Sequence, residues 1–221
     1  IQEILENALY NLFQENIKTV VAGRTDAGVH AKGQVVHFDT TKTLSEDKLL
    51  LGANYYLLKE YNGKDVCIRK ALKTNNIFNA RFSVKRKTYH YIIANDFVRT
   101  PFLSDRSWFI SKKLNLKKMK LAADNLIGKH DFSSFRAKGC QASSPLKTLD
   151  DVKITKVKNI IKINFTARSF LYNQVRIMVG TLKEVGLEKI DPFEIKNILK
   201  KKDRSLAGVT APPKGLTLEK I

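Results

Sequence analysis

The alternation of apolar and polar positions predicts helices and strands in similar order in both halves of the chain. Helical spacing marks residues 1–13 and 44–58, and Ser45 is a candidate N-cap for the second of these helices. Two-residue alternation predicts strands at 19–21, 34–39, 65–73 and 82–95. The first half therefore resembles a split βαβ unit without its opening strand.

The second half follows a connector at residues 97–107 that contains Pro101. Helical patterns cover residues 113–127 and 169–185, and Asp191-Pro192-Phe193-Glu194 has the residues that open a further helix. Strands are predicted at residues 147–157, 160–167 and 216–221. We therefore expect an α+β protein with two lobes, residues 1–96 and residues 97–221, and a cleft between them.

The composition points to a polyanionic partner. Forty Lys and Arg residues against 21 Asp and Glu residues give a net charge of +19. Neutralised phosphates release counterions, so this excess favours nucleic acid. The alternative is a lysine-rich proteome, in which the charge says nothing about a partner. No stretch approaches the length of a membrane span, so no membrane association is expected.

The chain offers no pattern for a metal or an organic cofactor. Cys67 and Cys140 are far apart and outside any Cys/His cluster, which fits reduced thiols better than a disulfide or a zinc site. His37, His90 and His130 share no ligand spacing, and there is no Gly-rich phosphate loop. We therefore predict neither a metal nor a cofactor.

One loop, residues 22–30, concentrates chemically active side chains between two predicted strands. Gly23 and Gly28 permit tight or left-handed backbone there. Arg24 could hold the nearby Asp26 carboxylate ionised, and an ionised, positioned carboxylate can act as a nucleophile or a base. The alternative is a Gly-Asp turn with a surface ion pair.

Four motifs, in order along the chain, carry a resemblance to a known family. The string GRTDAGVHA at residues 23–31, followed by GQVVHFDT at 33–40, resembles the active-site motif of the tRNA pseudouridine synthase A (TruA) family. The family's other motifs are similar to NARFS with KTYHY, to GKHDFSSFR, and to FLYNQVR with VGTL, at residues 79–83, 87–91, 128–136, 170–176 and 179–182. Together they cover nearly the whole chain.

The resemblance implies a fold and an activity. The fold is two ferredoxin-like or RRM-like α+β lobes sharing a mainly antiparallel sheet with a central active-site cleft, the pseudouridine synthase fold. The activity is isomerisation of uridine to pseudouridine in the tRNA anticodon stem-loop, at tRNA positions 38 to 40, by a cytoplasmic homodimer without metal or cofactor. Family members carry an opening strand and a Gly-Trp loop before the segment with which this sequence starts, so we expect the sheet of the first lobe to be incomplete.

The resemblance also assigns roles to four residues. Asp26 is the catalytic carboxylate, which would attack ribose C1′, attack uracil C6 or remove a ribose proton; the sequence does not choose among these routes. Tyr89 matches the tyrosine that stacks on the target ring. Arg176, by pattern alone a helix-surface arginine, becomes a partner of Asp26 or of a substrate phosphate. Arg24 is expected to contact the backbone of the flipped nucleotide.

Four further residues are weaker candidates for RNA contacts. Lys85 and Lys87 share a predicted strand face with Tyr89, and amines beside rings suit nucleic acid. The alternative is a pair of lysines lying over core tyrosines. Phe132 and Arg136 could stack on or clamp RNA, although two phenylalanines three residues apart usually pack in a core.

Two other functions compete with the synthase. A non-catalytic RNA-binding or ribosome-associated protein could use the same scaffold and charge. It would have no need to keep Asp26, Arg24 and Tyr89 together. A carboxylate-dependent glycosidase would need a second acid at a defined separation, and no partner for Asp26 stands out.

Overall fold

The computed structural model of the chain describes residues 1–61 and 65–221. Contacts divide the chain into two compact units, Ile1–Gly23 with Val35–Ser83 and Arg24–Gln34 with Val84–Ile221. Most of the motif loop (residues 22–30) therefore belongs to the second unit. These limits differ from the predicted lobe boundary between residues 96 and 97, which stays a prediction.

The described residues form five α-helices and nine strands. In chain order they are α1 (Gln2–Phe13), β1 (Val20–Val21), β2 (His30–Ala31), β3 (Val36–His37), α2 (Glu46–Tyr61), β4 (Lys87–Asn95), β5 (Trp108–Ile110), α3 (Leu116–Asp124), β6 (Gly128–Asp131), β7 (Leu146–Val157), β8 (Ile160–Ala167), α4 (Gln174–Gly186), α5 (Glu194–Lys201) and β9 (Leu216–Lys220). The α+β class is confirmed.

The first unit has a small core of its own under α1. Leu5, Leu9 and Phe13 lie on one face of this helix and are buried together with Ile17 and Ala53. Strands β1 and β3 pair antiparallel in a two-stranded sheet. The spacing of apolar residues in α1 is therefore explained by burial of one helix face.

The strand predicted at residues 65–73 was wrong for its described residues, none of which is in a strand. The Asn54 side chain of α2 donates to the Ile68 carbonyl and accepts from the Ile68 amide, at 2.7 and 2.8 Å. Glu46 accepts a hydrogen bond from the Lys73 amide at 2.7 Å. Side chains of α2 thus satisfy backbone groups that a neighbouring strand would otherwise have paired.

A seven-stranded sheet with β4 near its centre organises the second unit. The order is β2-β9-β4-β8-β7-β6, and β5 pairs parallel with β4. The β2–β9 pair is also parallel, and the remaining pairs are antiparallel. Inward side chains of β4, β7 and β8 share one apolar core with residues of α3, α4 and α5. Because β4 is bound on both sides, residues on it are held firmly.

One helix starts where the sequence pattern predicts, and another starts later. Asn115 caps α3 as predicted, its side chain accepting from the Lys118 amide at 3.2 Å. Helix α4 begins at Gln174 and not at residue 169, because Asn173 has a φ of 59°, which no α-helical residue adopts.

Strands β5 and β6 were not predicted, since three- and four-residue strands carry little alternation. No helix among the described residues has both the length and the apolar character to cross a bilayer.

Candidate active site

The motif loop holds Asp26 at the start of a tight turn. The Asp26 carbonyl accepts a hydrogen bond from the Val29 amide at 3.1 Å. Gly28, the third residue of this turn, has a φ of 79°, the value that a type II turn requires at that position. The loop then continues into β2, which pairs with β9. Strand pairing on the far side of the turn therefore limits where Asp26 can lie.

Asp26 forms an ion pair with Arg176 of α4. Arg176 Nη1 donates to Asp26 Oδ2 at 2.7 Å. The two side chains retain 22% and 15% of their exposure for Asp26 and Arg176. A charge-assisted hydrogen bond in such a half-buried position is stronger than a surface ion pair. It aims the carboxylate while leaving it accessible to a substrate.

Two further hydrogen bonds fix the guanidinium of Arg176. Its Nη1 also donates to Asn173 Oδ1 at 2.8 Å, and its Nε donates to the Ala211 carbonyl at 2.7 Å. Asn173 adopts the left-handed conformation that Asn tolerates better than most residues. The carboxylate is thus held by an arginine that is itself held on two sides.

The Ala211 carbonyl belongs to a strap, residues 207–213, that lies against α4. The Gly208 amide donates to Thr181 Oγ1 at 2.9 Å, and the Ala211 amide donates to the Arg176 carbonyl at 3.1 Å. A Cβ at Gly180 would lie 1.7 Å from the Val209 carbonyl oxygen, so only glycine permits this approach. The strap therefore reaches Arg176 because position 180 carries no side chain.

Tyr89 lies in the core of the second unit, next to the carboxylate. It is only 8% exposed, and its ring meets that of Phe170 edge-on with centroids 5.4 Å apart. Burial, with a smaller contribution from the Asp26 carboxylate, raises the pKa of Tyr89 to about 12. The phenol is therefore neutral at physiological pH and can donate a hydrogen bond but not act as a phenolate base.

The structure brings together three of the four main predicted site residues. Asp26 and Arg176 are in direct contact, and Tyr89 is close enough for the Asp26 charge to affect its pKa. The expectation that Arg24 holds the Asp26 carboxylate needs correction, since the recorded ion pair of Asp26 is with Arg176. Arg24 itself is exposed.

The weaker candidates divide into two groups. Lys85 is exposed and precedes β4, so the two-residue alternation through Tyr89 does not extend to it, while Lys87 is half-buried at the first position of β4. Phe132 is fully buried, and its ring packs edge-on against Phe135, so the prediction that it contacts RNA was wrong. The Phe132 ring contributes its apolar surface to the core of the second unit.

Arg136 and His30 are occupied within the protein. The Arg136 guanidinium donates to the Cys140 and Ala142 carbonyls at 2.7 and 2.8 Å, which closes its own loop and argues against a clamp on RNA. His30 Nε2 lies 2.9 Å from the Asp105 carbonyl oxygen, in a structural hydrogen bond. Among residues 1–61 and 65–221, no three His, Cys, Asp or Glu side chains come together as a metal site would require.

Sequence reasoning missed Asn173 and the Ala211 carbonyl. Asn173 lies three residues before Arg176 in the fourth motif, and an Asn just before a helix was a usable signal for a left-handed or capping position. A backbone carbonyl 35 residues after Arg176 leaves no comparable signal in the sequence.

Comparisons with known proteins identify the family of the chain. A family model described as tRNA pseudouridine synthase matches residues 122–221. The tRNA pseudouridine synthase A of Ehrlichia chaffeensis is 47% identical over the whole chain, which covers 89% of that relative. The enzymes of the same name from Wolbachia pipientis wMel and Thermoanaerobacter sp. strain X514 are each 44% identical over the whole chain, which covers 89% and 88% of them. On this similarity the chain belongs to the tRNA pseudouridine synthase A family.

Proposed function

We propose that this chain isomerises uridine to pseudouridine in the anticodon stem-loop of tRNA, at tRNA positions 38 to 40. Its membership of the family makes it a tRNA pseudouridine synthase, an isomerase. The observation that supports the proposal best is the accessible Asp26 carboxylate, which Arg176 aims beside a neutral Tyr89. The resemblance of the four motifs supports the position in the tRNA.

The reaction moves one glycosidic bond without net oxidation or hydrolysis. The N1–C1′ bond breaks, a C5–C1′ bond forms, the proton on C5 leaves and N1 gains a proton. Asp26 provides the carboxylate that attacks or removes a proton, and Arg176 orients it. The Tyr89 hydroxyl can donate a hydrogen bond to the uracil.

For the target uridine to reach Asp26, its base must leave the base stack of the RNA. Flipping a nucleotide costs a few kcal/mol, which contacts to the RNA backbone must offset. The exposed Arg24 guanidinium and Lys85 are suited to phosphates. Arg176 Nη2 donates no hydrogen bond to the described residues, so it is suited to a phosphate as well. As the resemblance implies, we further propose a homodimer that acts in the cytoplasm.

The test is the change of Asp26 to Asn. Asp26→Asn keeps a polar group of nearly the same shape but removes the charge, so pseudouridine formation should fall by at least about 10³-fold. RNA affinity should stay within severalfold, because phosphate contacts dominate it. Single-turnover pseudouridine formation, mapped position by position on unmodified tRNA, and a filter-binding titration measure the two quantities.

Asp47→Asn is the matched control, since Asp47 is an exposed carboxylate of the first unit and lies outside the four motifs. It should modify tRNA at the wild-type rate. Near-normal turnover by Asp26→Asn would remove Asp26 from the chemistry. A wild-type protein that binds tRNA but modifies no uridine would instead support the non-catalytic RNA-binding alternative.

A further inference from the structure

A small cavity lies between the connector (residues 97–107) and the end of the strap. Its volume is about 240 Å³, and Pro212 of the strap forms part of its wall. The rest of its wall includes Arg99, Thr100, Ser104, Ser107, Trp108 and Lys214. Drug-sized ligands occupy pockets of roughly 300 to 1,000 Å³, so this cavity suits a smaller group such as one base.

The lining combines cations, hydroxyls and an aromatic ring. Arg99 and Lys214 form no ion pair with a carboxylate in the part of the chain that the structure describes. The Ser107 hydroxyl donates to the Leu103 carbonyl at 2.7 Å, whereas the Thr100 and Ser104 hydroxyls form no hydrogen bond with any described residue. Unpaired cations beside hydroxyls and an indole suit a nucleotide, whose phosphate, sugar and base need those three partners.

The cavity is built on the segments that hold the catalytic carboxylate. Pro212 follows Ala211, whose carbonyl holds Arg176, and the Pro212 carbonyl accepts a hydrogen bond from Tyr91 at 2.8 Å. On the other wall, the connector is tied to the end of the motif loop by the contact of His30 with the Asp105 carbonyl. A nucleotide in the cavity would therefore lie against the strap and the connector, which are bonded to the segments that hold Asp26.

The connector also displays two unusually exposed aromatic rings. Phe97 is 88% exposed and Phe102 is 97% exposed. Phe102 and the cavity residue Leu103 lie in the same short 3₁₀ turn. Exposed rings next to cations are the combination on which unpaired bases stack. The charge of the lining favours RNA over a second copy of this basic chain.

We propose that this cavity is a subsite for an unpaired RNA nucleotide neighbouring the target uridine. Arg99 and Lys214 contact its phosphates, and Trp108 and Pro212 bound its base. This subsite rests on the proposed function, because it presumes that a uridine of RNA lies at Asp26. It would extend recognition beyond the modified nucleotide.

The first experiment locates RNA on the full-length protein. A tRNA with 4-thiouridine one or two positions from the modified uridine is bound, irradiated and digested, and the crosslinked peptides are identified. We expect crosslinks within residues 97–109. Crosslinks that occur only elsewhere would overturn the proposal.

The second experiment removes the two cations together. Arg99→Met with Lys214→Met should raise the KM for tRNA roughly tenfold at low salt, with kcat within about twofold, and lessen the salt slope by about one unit for each cation. The control is Lys117→Met with Lys120→Met, which removes two exposed charges from α3. An equal effect in both double variants would mean that only net charge matters and would contradict the subsite.

A third measurement separates RNA from a second copy of the chain. Phe97→Ser with Phe102→Ser should leave the sedimentation coefficient unchanged and weaken RNA binding. A shift to a smaller species would show that these rings join copies of the protein and would overturn the proposal. If the wild-type protein forms no pseudouridine at all, the proposed function fails, while the crosslinks and affinities still test whether RNA occupies the cavity.

Discussion

At the scale of single residues, the site depends on an arginine that is held before any substrate arrives. Asp26 and Arg176 are 150 residues apart in the chain and 2.7 Å apart in the structure. Arg176 also bonds to Asn173 and to the Ala211 carbonyl, so its side chain loses little further freedom when a substrate binds. Preorganisation of this kind favours the chemical step over binding.

Asn173 should therefore affect turnover more than affinity. Asn173→Ala removes the amide that holds Arg176 and disfavours the left-handed backbone, so we expect kcat to fall roughly tenfold with KM nearly unchanged. Asn173→Gly keeps the backbone conformation and removes only the amide. Steady-state kinetics of both variants on tRNA distinguish the two contributions. Full activity in Asn173→Gly would mean that the amide does not position Arg176.

The raised pKa of Tyr89 predicts that the stability of the folded protein depends on pH. Its pKa is raised from 10.0 to about 12 in the folded protein, so the unfolded chain loses the phenol proton first. The stabilising contribution is present below pH 10 and is lost as the pH rises toward 12. Between pH 8 and pH 11 the wild type should lose about 1 kcal/mol more unfolding free energy than Tyr89→Phe.

Urea titrations of both proteins at the two pH values measure that difference. The Tyr91 pKa is also raised by burial, but Tyr91 is present in both proteins and cancels. Equal losses in wild type and variant would show that the Tyr89 phenol is not desolvated.

At the scale of elements, the strap and α4 act as one unit through Gly180. In Gly180→Ala the new Cβ would overlap the Val209 carbonyl, so the strap must move away from α4 and carry the Ala211 carbonyl with it. Overpacking of this kind costs about 1 to 3 kcal/mol. Thermal denaturation should show that loss, and turnover should fall by more than the folded fraction explains.

Val152→Ala provides the comparison for that prediction. Val152 is a buried residue of β7, and its truncation destabilises the same unit by a similar amount without a change at the strap. Its activity should follow its folded fraction. If both variants lose turnover in the same proportion to stability, the strap has no separate role in positioning Arg176.

The long periodic helices and strands were predictable from the sequence. The short strands, and the segment whose backbone bonds to side chains of α2, were not. Helix α1 and strands β7 and β8 each bury one face, so their apolar spacing reports their conformation. Residues 65–73 alternate similarly, but their backbone bonds to side chains of α2, which no periodicity shows.

The site divides in the same way. Asp26 and Tyr89 were identified by resemblance of short motifs. The resemblance also made Arg176 a partner of Asp26 or of a substrate phosphate, but a spacing of 150 residues gives no local signal that chooses between the two. The aromatic pattern at Phe132 was ambiguous, since the same residue types serve a core and a stacking surface.

At the scale of the whole molecule, the charge of +19 predicts how RNA binding responds to salt. A footprint of about six phosphate contacts would give a log–log slope on the order of −4 to −5. Lys85→Ala or Lys87→Ala should each lessen the slope by about one unit at most, and equally for different tRNAs, because phosphates carry no base identity. Binding titrations between roughly 50 and 200 mM salt measure the slope.

An affinity indifferent to salt over that range would contradict the electrostatic interpretation. The charge would then reflect the composition of the proteome, and recognition would rest on shape and stacking. Binding by Asp26→Asn gives the same slope without turnover during the measurement, since the substitution leaves every Lys and Arg in place.

The position of β9 in the sheet ties the active site to the order of synthesis. This strand, residues 216–220, lies between β2, which follows the motif loop, and β4, which carries Tyr89. Asp26, Tyr89 and Arg176 all leave the ribosome earlier. Until β9 emerges, β2 has no strand to pair with and one edge of β4 is open, a state prone to wrong pairing. A nascent chain therefore carries Asp26, Tyr89 and Arg176 before it contains the strand that joins β2 and β4 in one sheet.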